Sequence, residues 1–168
     1  LLQAYHVLTT YLVPDARLAL LGPARLEDYH TALQTFASEL NLYRAKITGW
    51  LTPEQLAAYY SRADVFVTMS EHEGFCVPLL EAMSFDVPVV ARAFGAIPDT
   101  LGDAGLLLPA EEDPFLAAEA LAELLASDGL RAELIRRGRR RLAAFDVETA
   151  NATFLDHLRD VTDGSRSG

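Results

Sequence analysis

"ADVFVTMSEHEGFCVPLLEAMSFDVPVVAR", residues 63–92, decides the fold. Its first seven residues are rich in β-branched and aromatic side chains and predict a central strand. A turn follows, with Glu71 and Glu73 ahead of Gly74. A short apolar helix is predicted from about Pro78 to Phe85. "VPVVAR" (87–92) is a second strand, with Pro88 near its start, where a missing N–H is tolerated.

The same alternation extends in both directions. Upstream, residues 1–12 place apolar side chains at helical spacing and Pro14 stops the run. "RLALLG" (17–22) and "AKITG" (45–49) are short apolar strands separated by a helical pattern over 25–41. "TPEQLAAYYSR" (52–62) starts with a capping box, in which Thr52 and Gln55 serve the first turn and Pro53 takes a position needing no N–H. Downstream, a short helix at 97–101 leads to the strand "GLLLP" (105–109), and helices follow Asp113, Asp128 and Asp146, each a plausible N-cap. Buried strands alternating with helices imply an α/β fold: a Rossmann-like parallel sheet with helices on both faces and a helical C-terminal segment. Such a sheet binds ligands at the carboxyl ends of its strands, and the turn at 70–76 lies at one of them.

The helix after that turn differs from its well-marked neighbours. Gly74, Phe75, Cys76 and Val77 precede it, and none supplies a good side-chain acceptor for its first N–H groups. A helix start of this kind suits an anion, and Gly74 lets the backbone turn and approach one. Water, or Glu73 itself, would also satisfy those donors. Ionised carboxylates only accept hydrogen bonds, so their partners would be hydroxyls. Glu73 before the turn and Glu81 in the helix can reach opposite ends of one ligand with a central diphosphate and a hydroxylated ring at each end, which is the shape of a nucleotide sugar. Glu81 can equally be a solvent-facing acid favoured by the helix dipole.

Composition bounds the alternatives. The 168 residues suit one domain, and a net charge of −10 argues against nucleic acid or an anionic membrane surface as partner. The basic cluster "RRGRRR" (136–141) lies in a helical pattern and reads as a solvated face. The single cysteine, Cys76, excludes an internal disulfide and fits a reducing cytosol. No apolar run approaches the roughly 18–20 residues of a membrane span. His6, His30 and His157 show no metal-ligand spacing and no Asp-x-Asp motif is present, so neither a metal nor a cofactor is expected. One domain is expected over 1–162, with a disordered tail at 163–168. Because the opening "LLQAYHVLTTYLV" reads as a helix already under way, the chain is expected to be a piece of a longer protein.

From "SEHEGFCVPLLEAMSFDVPVVARAFGAIPDTLGDAGLLL" the chain resembles the signature region of glycosyltransferase family 4 and related retaining enzymes of the GT-B fold. Their pattern is Glu-Gly-Phe-Gly, an apolar stretch and Glu-Ala, with seven residues between the glutamates, here Glu73 and Glu81. "PDARLALLG" and "KITGWLTPEQLAAYYSRADVFVTMS" resemble the family's run into the motif, so the likeness covers most of residues 1–109. The resemblance implies that Glu81 accepts from the nucleotide ribose and that Glu73 faces the donor sugar. The backbone N–H groups of Phe75, Cys76 and Val77 would hold the diphosphate or sugar, and Trp50 and Leu51 would lie near the base.

It also implies transfer of a sugar from a uridine or guanosine diphosphate, with retention and without a metal. The family's phosphate-binding arginine and lysine, a first strand and an acceptor-binding amino-terminal domain would then lie outside this chain. With no cation beside Glu71, Glu73 and Glu81, the isolated chain is expected to be inactive. A surface bared by the absent half would favour dimers. The full-length enzyme would be cytoplasmic or peripheral to a membrane, serving glycan or glycolipid synthesis. A sugar phosphorylase or synthase, or a non-catalytic binding domain, is the alternative. Three positions depart from the family's habit. Cys76 stands where glycine is frequent and either narrows the sugar pocket or packs; as a nucleophile it lacks a basic partner. Asp86 replaces a glycine and tolerates a positive φ better than most residues. Asp99 replaces a glutamate. His72 neighbours the site and reads as structural or exposed.

Overall fold

The computed structural model describes residues 1–22, 27–111 and 113–146. The helix expected after Asp146 and the tail at 163–168 lie outside them. α1 (Leu2–Val7) continues as a π-helical turn (Leu8–Leu12), so one helical stretch ends before Pro14 as its spacing predicts. Then come β1 (Leu18–Leu20), α2 (Glu27–Glu39), β2 (Ala45–Ile47), α3 (Pro53–Tyr60), β3 (Phe66–Thr68), α4 (Val77–Ser84), β4 (Val89–Arg92), α5 (Ile97–Leu101) and β5 (Gly105–Leu108). α6 (Pro114–Ala126) and α7 (Asp128–Ala143) complete the order.

Every strand pairing is parallel. The strands form two hydrogen-bonded sets, β1–β2 and β3–β4–β5, where the pattern predicts one sheet. No pairing joins β1 to β3 among the described residues. What spans that seam is side-chain packing: Leu18, Leu20, Ala45 and Ile47 share a cluster with Val67, Val90 and Leu108. A second cluster holds Leu79, Ala82 and Met83 of α4 against Val89 and Ala91 of β4 and Ile97 and Leu101 of α5. β4 is buried along its whole length, as its unbroken apolar run requires.

The caps are local chemistry. Thr52 and Gln55 form both bonds of the capping box on α3. Asp113 accepts from Phe115 and Leu116 at the start of α6. At α7 the cap is Ser127 rather than Asp128, because the Ser127 hydroxyl accepts from Leu130 N–H and Asp128 is the first helical residue.

The basic cluster on α7 is a clasp as well as a solvated face. Arg139 makes two bonds to the Asp86 carboxylate, 2.7 and 2.6 Å. Arg141 donates to the backbone carbonyls of Thr100 (3.0 Å) and Asp99, satisfying α5. Arg136 and Arg137 both hold Glu133. Side-chain length lets these arginines reach past the helix surface to neighbouring elements, which periodicity alone does not reveal.

Among the described residues no helix is long and apolar enough to cross a membrane.

Candidate functional site

The turn at 70–76 joins the carboxyl end of β3 to α4, and three contacts fix it. Ala96 N–H donates to Glu73 O at 3.1 Å. Thr100, 2% exposed, donates its hydroxyl to Phe75 O at 2.7 Å. Arg92, 8% exposed at the end of β4, reaches Glu71 Oε1 at 3.2 Å and donates from Nε to Ala110 O at 2.6 Å. The expectation of no local cation is therefore corrected. Arg92 stands at this end of the sheet, engaged by Glu71 and by a backbone carbonyl. A lone arginine closing the buried strand "VVAR" was the signal available in the sequence.

The glycine that the turn depends on is Gly95, not Gly74. Gly95 has φ +56°, and a Cβ there would lie 2.5 Å from Glu73 O. Gly74 has no positive φ, and a Cβ there would meet nothing within 4 Å. The left-handed residue next to the helix is Cys76, with φ +63° and ψ +62°. A glycine is frequent at such a position because only glycine adopts it without steric cost. Asp86 has φ +58°, as expected where it replaces glycine, and Arg139 holds its carboxyl below the usual range.

α4 starts without a side-chain cap. α1 and α5 share that feature, so it does not single α4 out, although α3, α6 and α7 are all capped. Glu73 and Glu81, both half-buried, bracket the first turn of α4. Phe75 and Val77 are exposed and Cys76 is buried. Burial first, and then the Glu73 carboxylate, push the Cys76 thiol up to about 11, so it is protonated at neutral pH and inert as a nucleophile. The Glu81 carboxylate accepts from Tyr60 at the end of α3, with 3.0 Å between Oη and Oε2. Burial, and then the Glu81 charge, raise the Tyr60 phenol well above its ordinary value, which keeps it a donor. Tyr60 lies 21 positions before Glu81, and no short spacing marks the pair.

Beside the turn, the His72 ring stacks on Phe94 (6.3 Å, 2°), and the Arg92 guanidinium stands 5.6 Å over the same ring. Asp99 is exposed in the first turn of α5. Trp50 and Leu51 follow β2 in the other strand set, Trp50 being 84% exposed. The eight residues of α3 put about 12 Å of helix between them and Tyr60. The structure thus joins Glu73, Cys76 and Glu81 in one turn-and-helix unit and sets Trp50 and Leu51 after a strand of the other set. Met69, Arg92, Leu108 and Asp113 line a recess of about 40 Å³, too small to hold a sugar nucleotide. Among the described residues no group of three His, Cys, Asp or Glu is placed to hold a metal ion.

An α/β unit of parallel strands flanked by helices is the fold of GT-B glycosyltransferases. A sucrose-phosphate synthase from Thermosynechococcus elongatus superposes with TM-score 0.77 and 27% identity over 97% of this chain and 42% of its own. A glycosyltransferase from Rickettsia africae gives TM-score 0.80 over 96% of this chain and 43% of its own, at 15% identity, a likeness of fold alone. Residues 1–141 match the family model of the glycosyl transferases group 1, and the chain belongs to that family. Among curated relatives, the O-antigen chain mannosyltransferase B of Escherichia coli is 36% identical over 108 residues, 64% of this chain and 28% of the relative. The matched segment is thus little more than a quarter of that relative's length.

Proposed function

We propose that this chain is the donor-nucleotide half of a retaining glycosyltransferase, which moves a sugar from a uridine or guanosine diphosphate to an acceptor bound elsewhere. The observation that carries the reading is the pair of half-buried carboxylates, Glu73 and Glu81, on either side of the first turn of α4 at the carboxyl end of β3. Glu81 takes the ribose hydroxyls and Glu73 faces the donor sugar. The backbone N–H groups of Phe75, Cys76 and Val77 receive the diphosphate or sugar, and Trp50 and Leu51 lie toward the base. No metal takes part.

The leaving diphosphate needs cations aimed at it. Arg92 is held by Glu71 and Ala110, and three carboxylates surround the turn, so the cations come from outside this chain. The chain alone therefore binds donor weakly and does not turn over. The acceptor half decides between a transferase and a phosphorylase. Membership of the glycosyl transferases group 1 supports transfer.

Calorimetric titration of UDP, GDP and their sugars into the full-length protein tests the reading. Binding of one nucleotide series, lost in Glu81→Ala, is the expected result. Absence of binding to either series by the full-length protein refutes it.

A further inference from the structure

We infer that Tyr60 is a positioning residue for Glu81, holding one carboxylate oxygen so that the other is presented to a ribose hydroxyl. The inference rests on the assignment of Glu81 to the nucleotide ribose. Among the described residues, Tyr60 is the side chain that bonds the Glu81 carboxylate, at 3.0 Å to Oε2. A carboxylate offers about four acceptor sites. One bond from Tyr60 leaves Oε1 uncommitted while restricting rotation of a long, half-buried side chain.

Tyr60 itself is rigid. It is 6% exposed, its ring is stacked on Phe85 (5.5 Å, 17°) and it is tilted against Phe66 (6.1 Å, 44°). These partners belong to β3 and to the residue closing α4. The phenol is thus fixed by the strand that leads into the site turn and by the helix that bears Glu81. A tyrosine buried only for packing would need any one acceptor for its hydroxyl. Here the acceptor is the carboxylate that reads the nucleotide, so orientation of Glu81 is set by α3 as well as by its own helix.

The test is a double-mutant cycle in the full-length protein with Tyr60→Phe, Glu81→Ala and the pair together. Affinity is measured for whichever of UDP or GDP the wild type binds more tightly, and for the 2′,3′-dideoxy form of that nucleotide. Tyr60→Phe keeps the ring and its stacking. It is expected to weaken the ribonucleotide by about tenfold, the scale of one hydrogen bond to a charged group. The dideoxy form should be unaffected, and the effect should vanish in the Glu81→Ala background. The ratio of the two affinities is read within each variant, so a general loss of stability cancels.

If Glu81→Ala weakens the ribonucleotide but Tyr60→Phe does not, or weakens both forms equally, the positioning role is overturned and the ribose assignment survives. If Glu81→Ala itself leaves the ribonucleotide unaffected, the ribose assignment falls and the inference falls with it.

Discussion

Replacing Gly95 by alanine tests the geometry of the site most directly. The residue has φ +56°, and the new Cβ would sit 2.5 Å from Glu73 O and 3.3 Å from Glu73 N. Holding a non-glycine residue in the left-handed region costs about 1–2 kcal/mol. The contact with the carbonyl oxygen must open by about 0.9 Å to reach an ordinary separation of about 3.4 Å, since both partners are backbone-fixed. Opening it stretches the Ala96 N–H to Glu73 O bond, now 3.1 Å, and a lost hydrogen bond of this kind is worth about 1 kcal/mol. The sum is about 2–3 kcal/mol, which for a domain of this size is a fall in Tm of roughly 4–12 °C. Gly74→Ala is the control: its Cβ meets nothing within 4 Å and its φ is not positive, so it should cost less than about 1 kcal/mol. Urea denaturation gives both values, and nucleotide titration reports whether Glu73 has moved. A Gly95→Ala variant as stable as wild type, or a Gly74→Ala variant equally damaged, would refute the reasoning.

Three further outcomes follow from the same geometry. Asp86→Ala loses the Arg139 pair and places a residue less tolerant than Asp at φ +58°, whereas Asp86→Gly loses the pair and relieves the backbone; urea denaturation should find alanine the worse by about 1 kcal/mol. The Cys76 thiol, 3% exposed and pushed up to about 11, should react with a disulfide reagent at pH 8 far more slowly in the native protein than in urea, and equal rates would contradict its burial. Glu133 is held down to about 2, first by its bonds to Arg136 and then by those to Arg137. A depressed carboxylate adds stability that is complete above its ordinary value of 4.5 and is lost as pH falls toward about 2, so Glu133→Gln should flatten the stability profile across that window.

Much of this molecule is written in local sequence. Strands β3 and β4 and the capping box at Thr52 follow from side-chain type and period, because each is decided by residues within one turn or one pleat. The likeness of residues 70–108 to a known motif singled out Glu73 and Glu81 as the expected pair. What escaped is long-range. Tyr60 reaches Glu81 across 21 positions, and Arg139 reaches Asp86 across 53. Arg92 meets Glu71 only because β4 lies beside β3. Nothing in the sequence window around Gly95 marks its closeness to Glu73 O. Such contacts depend on how elements are laid side by side, and that order is not encoded in any single window.

The two strand sets have a consequence for cooperativity. Backbone hydrogen bonds tie β3, β4 and β5 into one ladder and β1 to β2 in another, while among the described residues the ladders share no strand pairing and meet through side-chain packing. Subglobal opening should follow that seam. Amides of β1 and β2, each three residues long, should exchange with solvent at lower free energy than those of the fully buried β4. The carboxylate turn is anchored to β4 through Arg92 and to α5 through Thr100, so it belongs to the slower-opening unit. Trp50 and Leu51 are attached to the faster one.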